Sequence, residues 1–590
     1  MRLGTNDGYA CIHMIYKHIL IATSLVFALS IGGCSSWSTK SAPTSPSAAA
    51  PAIEPDPVAS RPFENDTLYE LLLAEFAGKR NRADVALGKY LKQAHETRDP
   101  QVVERAAFIA RFLGAHQATL DASKLWLEIE PNNPAPRELA ATELIRFGQM
   151  EEALHQIDQL MASEGDLNFE FLLQATRASD RETRQKVLDK LSQYAPSSED
   201  ARLWYAKGSL QAMNGTHESA LMDFDKALAL SGGYGNAILA KFQSLTALNR
   251  QQEAMTFLAQ ETSRHPENKR LGVTYARQLM KQNQLKAAQQ QFYRLSKNFP
   301  HDGDLVLSLA LLSWENQERE LAREQFNKLL ETNHRTDEAH LYLARMAVGE
   351  KDFDRAQTHL KLVGPGRQYL SAQVQLAIIQ TEQGQLDQAL ATLDNAAAQD
   401  PKQHLKFLLA KTEILAKKER FEEAIELLDK GLEQAPDDTN LLYSRAMLRE
   451  QNDNFEGMEA DLRRVLELQP NNSAALNALG YTFANRNHRL SEAWELIEKA
   501  YTLNPDDPAI IDSMGWIKYR MGDVSEALNY LKKAYAAFDD QEIAAHLGEV
   551  LWVSGQQDEA REIWEEALEK SPDSKILKEV MDRFLPSQTN

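Results

Sequence analysis

Residues 547–572 read LGEVLWVSGQQDEAREIWEEALEKSP. An apolar residue and a glycine, Leu547-Gly548, open the stretch, and a turn pair, Gly555-Gln556, divides it. Ala560, Trp564 and Ala567 follow, and then Pro572. Residues at 0, +4 and +7 share one face of an α-helix. Proline lacks an N–H and disfavours α geometry in the residue before it, so Pro572 ends that helix. Glycine between the two apolar segments supplies a helix C-cap. The stretch therefore reads as helix, turn, helix. Gly548 and Ala560 are small because the two backbones must approach closely.

The same arrangement returns outward along the chain. The small residue recurs as Ala220, Ala254, Ala288, Ala322, Ala356, Ala389, Ala424, Met458, Ala493, Ala527 and Ala560, at steps of 33–35 residues. Four residues later stands a large apolar side chain, from Phe224 and Leu258 through Ile497 and Leu531 to Trp564. Proline often closes the unit, as at Pro266, Pro300, Pro401, Pro436, Pro470 and Pro505. Upstream, Met514-Gly515, Leu479-Gly480 and Leu376-Ala377 match Leu547-Gly548. A fixed period of this length marks a stacked repeat array. Turns and prolines interrupt it, which excludes a coiled coil.

This pattern resembles the tetratricopeptide repeat, with its Leu-Gly at positions 7 and 8, Ala at 20, a large residue at 24, Ala at 27 and Pro at 32. Trp204-Gly208-Gly215-Ala220-Phe224-Ala227 and Leu376-Ala377-Gly384-Ala389-Leu393-Ala396-Pro401 carry the match, as does the opening stretch. Met458 departs from the position-20 alanine, and Val187 stands in that register slot. Extended backward, the register meets Ala153, then Thr119 or Leu120, then Ala86. The resemblance implies an all-α, right-handed superhelical solenoid of roughly fifteen hairpins from Thr67 to Pro572. Ser574–Phe584, with helical apolar spacing at Ile576, Leu577, Val580, Met581 and Phe584, reads as a helix capping the last hairpin. The expected organisation is a signal over 1–33, a tether over 34–62, irregular hairpins over 63–200, a regular array over 201–572 and a cap and tail over 573–590.

The N-terminus reads as an address. Residues 19–33, ILIATSLVFALSIGG, carry no charge and follow Lys17. They are short for a transmembrane helix and end in small residues, as a secretory signal does. Ile31-Gly32-Gly33-Cys34 resembles the bacterial lipobox, which implies acylation of Cys34 and cleavage just before it. An uncleaved anchor helix is the alternative. By the family's sorting rule, Ser35 rather than aspartate after the cysteine implies the outer membrane. Met14 offers a second start that would give a compact signal. Cys11 is lost either way, which leaves one acylated cysteine and no disulfide. Residues 35–62 are rich in Ser, Thr, Ala and Pro and read as an extended tether. Trp37 within it could sit at headgroup level or in solvent.

The chain has 590 residues, 43% hydrophobic, and a net charge of −20. That balance argues against nucleic acid, whose phosphates need clustered Lys and Arg. No HExxH, GxSxG, CxxC or Gly-rich phosphate loop occurs, and no enzyme, metal or cofactor is expected. Glu422-Glu423 and Glu565-Glu566 read as solvated helix-surface charge, and His546, near the array's end, as a surface residue, with a partner-facing residue as the alternative. Positions 5, 9 and 12 of the first helix line the concave groove in the family that this pattern resembles. In this register they are Tyr443, Tyr481, Trp516, Tyr519 and Trp552. Tyrosine and tryptophan anchor interfaces, so these five are the candidate partner-binding residues. Packing between adjacent hairpins is the alternative for those at position 12.

Lipobox, tether and long array together resemble the long tetratricopeptide lipoproteins of Gram-negative bacteria. Some of these, in pseudomonads, deliver substrates to a periplasmic carboxyl-terminal processing protease, among them hydrolases that cut peptidoglycan cross-links. The resemblance implies an outer-membrane adaptor that faces the periplasm and binds a protease and cell-wall hydrolases. The competing expectation is a structural lipoprotein of a polysaccharide-export, pilus or outer-membrane assembly machine.

Overall fold

In a computed structural model, the described residues are 65–162 and 169–585. The candidate signal, Cys34 and the tether with Trp37 lie outside them. Among the described residues, 31 α-helices form fifteen helix-turn-helix hairpins and one final helix, Lys575–Phe584. The all-α hairpin architecture expected from the repeat is therefore what the chain forms. It comprises two compact units divided between Arg335 and Thr336. The first holds eight hairpins, from Asn65–Lys79 to Arg319–Glu331. The second holds seven, from Thr336–Gly349 to Gln557–Lys570, and then the final helix.

Local sequence sets both ends of each hairpin's first helix, here helix A. After Pro436, Pro470 and Pro505 come Asp437-Asp438, Asn471-Asn472 and Asp506-Asp507. The second residue of each pair caps the next helix. Asp438 accepts from the Asn440 and Leu441 amides at 3.0 and 3.1 Å, Asn472 from Ala475 and Asp507 from Ala509, both at 3.0 Å. Each such cap contributes about 1 kcal/mol.

At the far end of helix A, the Gln556 amide donates to the Leu551 carbonyl at 2.9 Å and the Gly555 amide to Trp552 at 3.1 Å. These two bonds close a Schellman turn, with Gly555 in the left-handed region at φ 91°. Fourteen of the fifteen hairpins place a residue there, but glycine fills only six slots. Asn81, Asn249, Asn283, Asn487 and Asp453 fill five others, and Gln317, Lys351 and Glu419 the remaining three. Glycine was the expected signal for this turn. Asparagine and aspartate also tolerate the conformation, and hairpin packing holds the other three in it.

The two small positions meet face to face. All eleven residues of the opening series, Met458 included, are at most 1% exposed. A Cβ on Gly515 would lie 2.6 Å from Leu531 Cγ and 3.1 Å from the Ala527 carbonyl. One on Gly480 would lie 2.6 Å from Ile497, and one on Gly208 2.7 Å from the Phe224 ring. On Gly548 it would come within 2.1 Å of Trp564 Nε1. The missing side chain at position 8 is thus the space into which residue 24 of the second helix, helix B, inserts. Neighbouring hairpins are also tied by charge. Arg445 reaches Asp461 in its own hairpin and Asp429 in the preceding one, each at 2.6 Å.

Gly548→Ala is expected to destabilise the last hairpins by about 2–3 kcal/mol, because the buried Trp564 ring cannot yield. Gly88→Ala, on a helix with nothing within 4 Å of the new Cβ, is expected to stabilise by about 0.5–1 kcal/mol. Urea unfolding followed by circular dichroism compares the two.

Candidate binding grooves

The five groove aromatics all lie on helices A of the second unit, and three of them join one hydrogen-bonded and stacked cluster. Tyr481, on Ser473–Asn485, reaches across two repeats to Gln541–Val553. Its hydroxyl donates to Glu542 Oε1 at 2.7 Å and lies 3.3 Å from His546 Nε2. His546 Nδ1 stands 2.8 Å from Asp512 Oδ2, so the proton on that nitrogen is assigned to this bond. Trp516 stacks on the His546 ring with centroids 4.0 Å apart and planes at 21°. Tyr519 lies 5.3 Å from Trp516 and donates to Glu549 Oε1 at 3.2 Å.

Tyr481, Trp516 and Tyr519 thus join Asp512, Glu542, His546 and Glu549 in one cluster contributed by three successive helices A. Asp512, Trp516 and His546 are buried, at 4–5% exposure. The reading of His546 as a surface residue is corrected here: its imidazole is the hub of the cluster. Trp516 offers no free face, whereas Tyr481 and Tyr519 are half-buried. Trp552 belongs elsewhere, 5.9 Å from Trp564 and 6.1 Å from Phe584 of the final helix. Tyr443 packs against the apolar core that also takes in Trp516, Tyr481 and Tyr519. Asp512 Oδ1 and Trp516 Nε1 are buried with no hydrogen-bond partner among the described residues. Such atoms each cost about 1–3 kcal/mol.

Glu413, at repeat position 9 on helix His404–Lys417, occupies the register slot of Tyr481 and Trp516. Burial pushes its carboxyl up to about 7, with Lys417 acting in the opposite direction. Folding therefore disfavours the ionised form. The penalty is absent below the ordinary value of 4.5 and is complete once pH has risen through about 7.

The first unit holds a cleft of about 260 Å³ lined by Phe169, Glu170, Arg202, Tyr205, Tyr234 and Asn236. Tyr205 and Tyr234 meet edge to face at 5.2 Å, and burial raises the pKa of both hydroxyls. Arg202 is held by Asp200, the cap of its own helix, at 2.8 and 3.0 Å. Arg270 donates to Asn236 Oδ1 at 2.9 Å. Aromatic walls with guanidinium and amide groups at the rim suit an extended segment that presents an apolar side chain beside a polar backbone. Tyr205 stands at position 5 of its repeat, so the register rule that selected Tyr443 also reaches it. Tyr234 lies in a connecting turn and carries no periodic signal.

Stacked hairpins with helix A faces turned to clefts define a helical-repeat protein, a scaffold for protein–protein interaction. The chain belongs to the tetratricopeptide repeat family. Models of that repeat match residues 275–337, 380–448, 443–508 and 513–575. A TPR repeat-containing protein of Pseudomonas aeruginosa is 40% identical over 532 residues, which is 89% of each chain. Bacteriophage adsorption protein A of Escherichia coli is 31% identical over 124 residues, 21% of this chain and 12% of that protein. Among solved structures, yeast Tom70 aligns at 14% identity and a TM-score of 0.35, covering 88% of this chain and all of its own.

His546→Ala leaves Asp512 buried without its partner and is expected to cost about 3 kcal/mol. Hydrogen exchange should report this as lost protection in Pro508–Arg520 and Gln541–Val553. Glu413→Gln is expected to match the parent near pH 4 and to exceed its stability by about 2 kcal/mol near pH 8, read from urea midpoints at the two pH values.

Proposed function

We propose that the chain is a lipid-anchored adaptor of the outer membrane, facing the periplasm, that brings a carboxyl-terminal processing protease together with substrates such as peptidoglycan cross-link hydrolases. The observation that carries the scaffold part is the use of the repeat positions. The small and large residues of the register are spent on packing, which leaves helix A faces and turns for other chains. The anchored part rests on Ile31-Gly32-Gly33-Cys34 and the Ser/Pro-rich stretch after it. The protease and hydrolase partners rest on resemblance to pseudomonad lipoproteins of the same layout. The Pseudomonas relative, similar over 89% of both chains, supports a shared architecture.

The adaptor acts by proximity. Two partners bound to one chain meet at an effective concentration set by their spacing, without any residue of the array entering the chemistry.

In cells, the parent is expected to incorporate labelled palmitate and Cys34→Ala to incorporate none. Crosslinking and affinity purification of the tagged chain from membranes is expected to recover a protease together with a wall hydrolase. Recovery of an export or pilus complex instead would overturn the adaptor reading.

A further inference from the structure

The first hairpin of the second unit sets two imidazoles against each other. His340 stands on Thr336–Gly349 and His359 on Phe353–Lys361, the two helices of that hairpin. Their Nδ1 atoms lie 3.0 Å apart, with ring centroids at 5.3 Å and planes inclined by 40°. Both residues are half-buried, so solvent reaches the pair. The repeat fixes this meeting, because residues 19 apart on the two helices face each other. Glu70 pairs in this way with Lys89, and Arg137 donates to Gln156 at 3.0 Å. In other hairpins the same two positions hold Ile238 and Phe257, Leu408 and Leu427, or Ile511 and Tyr530. Apolar side chains fill the positions there, so closing a hairpin does not call for imidazoles.

Two nitrogens that bind one ion stand at a distance set by the bond length and by the angle at the metal. Bonds of about 2.0–2.1 Å and a separation of 3.0 Å subtend about 95°. That is close to the angle between neighbouring ligands in square-planar or tetragonal coordination, the geometry of copper(II) and nickel(II). A tetrahedral zinc ion would hold the nitrogens about 3.3–3.4 Å apart. Ligation needs the neutral imidazole. Burial lowers the pKa of both rings, and the facing His340 ring and Arg355 lower that of His359 further. Asp337, one turn before His340, acts on that ring in the opposite direction, so its charge favours a cation at the pair. Its Oδ1 accepts from the Gly364 amide at 3.2 Å, which holds the carboxylate in place. No third ligating side chain joins the two histidines among the described residues, which leaves the other coordination positions to water.

We infer that His340 and His359 form a site for one divalent transition-metal ion of tetragonal preference, copper(II) above nickel(II), bound through the two Nδ1 atoms. Both rings then carry their proton on Nε2. Without metal, one Nδ1–H donates to the other ring's Nδ1, so the donor atoms are already in place. Ligation asks only for a change of tautomer and a small rotation of the rings. Copper(II) leads because it stands highest among divalent ions at nitrogen sites. No sequence motif marks the pair, since its members are 19 residues apart on two helices. The ion would clasp the two helices of this hairpin together and turn open coordination positions to solvent.

Residues 35–590 contain all of the described helices and no cysteine, so no thiolate competes for the metal. Titrated with copper(II) against glycine as competitor, this protein is expected to take up one equivalent ahead of weaker binding. Electron paramagnetic resonance of that equivalent should show a tetragonal signal split by two nitrogens. His340→Gln and His359→Gln should each weaken it by about tenfold or more, and the double variant should abolish it. Unchanged circular dichroism separates loss of a ligand from unfolding. In the parent, copper(II) should slow hydrogen exchange in Thr336–Gly349 and Phe353–Lys361, and in the double variant it should not. If the two rings only share a hydrogen bond, parent and double variant will bind copper(II) alike through scattered histidines, and exchange in this hairpin will not respond to metal. Either of those results overturns the inference.

Discussion

Everything in this chain depends on how closely two helices approach within a hairpin. The missing side chains of Gly208, Gly480, Gly515 and Gly548 let Phe224, Ile497, Leu531 and Trp564 sit against the facing backbone. That contact is local, between residues about sixteen apart, so a hairpin closes with little loop entropy. A hairpin alone still leaves an apolar face open, and its neighbour covers that face. Stability in such an array is a sum of hairpin and interface terms, and no single globular core is needed.

The constraint also decides what is left for function. Helix A must give positions 8 and its neighbours to helix B, which leaves positions 2, 5, 9 and 12 toward the groove. In the second unit Glu542 at position 2, Asp512 at 5, and Tyr481 and Trp516 at 9 close around His546 at position 6. Tyr481, Asp512, Trp516, His546 and Glu542 form a closed polar and aromatic cluster across three hairpins. In the first unit Tyr205 and Tyr234 leave a cleft open. The two units therefore carry different surfaces on one repeat.

Most of the fold was legible because it is periodic. The series from Ala220 to Ala560, and its backward extension through Ala153 and Ala86, marks residues that prove buried, and the hairpin number follows from it. The turns were less legible, because Lys351 and Glu419 adopt a left-handed conformation that neither residue announces. His546 was misread for another reason: its partners Asp512 and Tyr481 lie 34 and 65 residues away on other helices. A period shows that positions are equivalent, not which side chains bond across them. Cys34 and the tether lie outside the described residues and remain sequence expectations.

Hydrogen exchange along the unmodified chain tests the central claim most directly. If each hairpin is held by its own close approach, the slowest amides should recur about every 34 residues, around positions 8 and 20, with fast exchange at the left-handed turns between them. Protection that rises and falls once per unit, with no repeat period within it, would contradict the account.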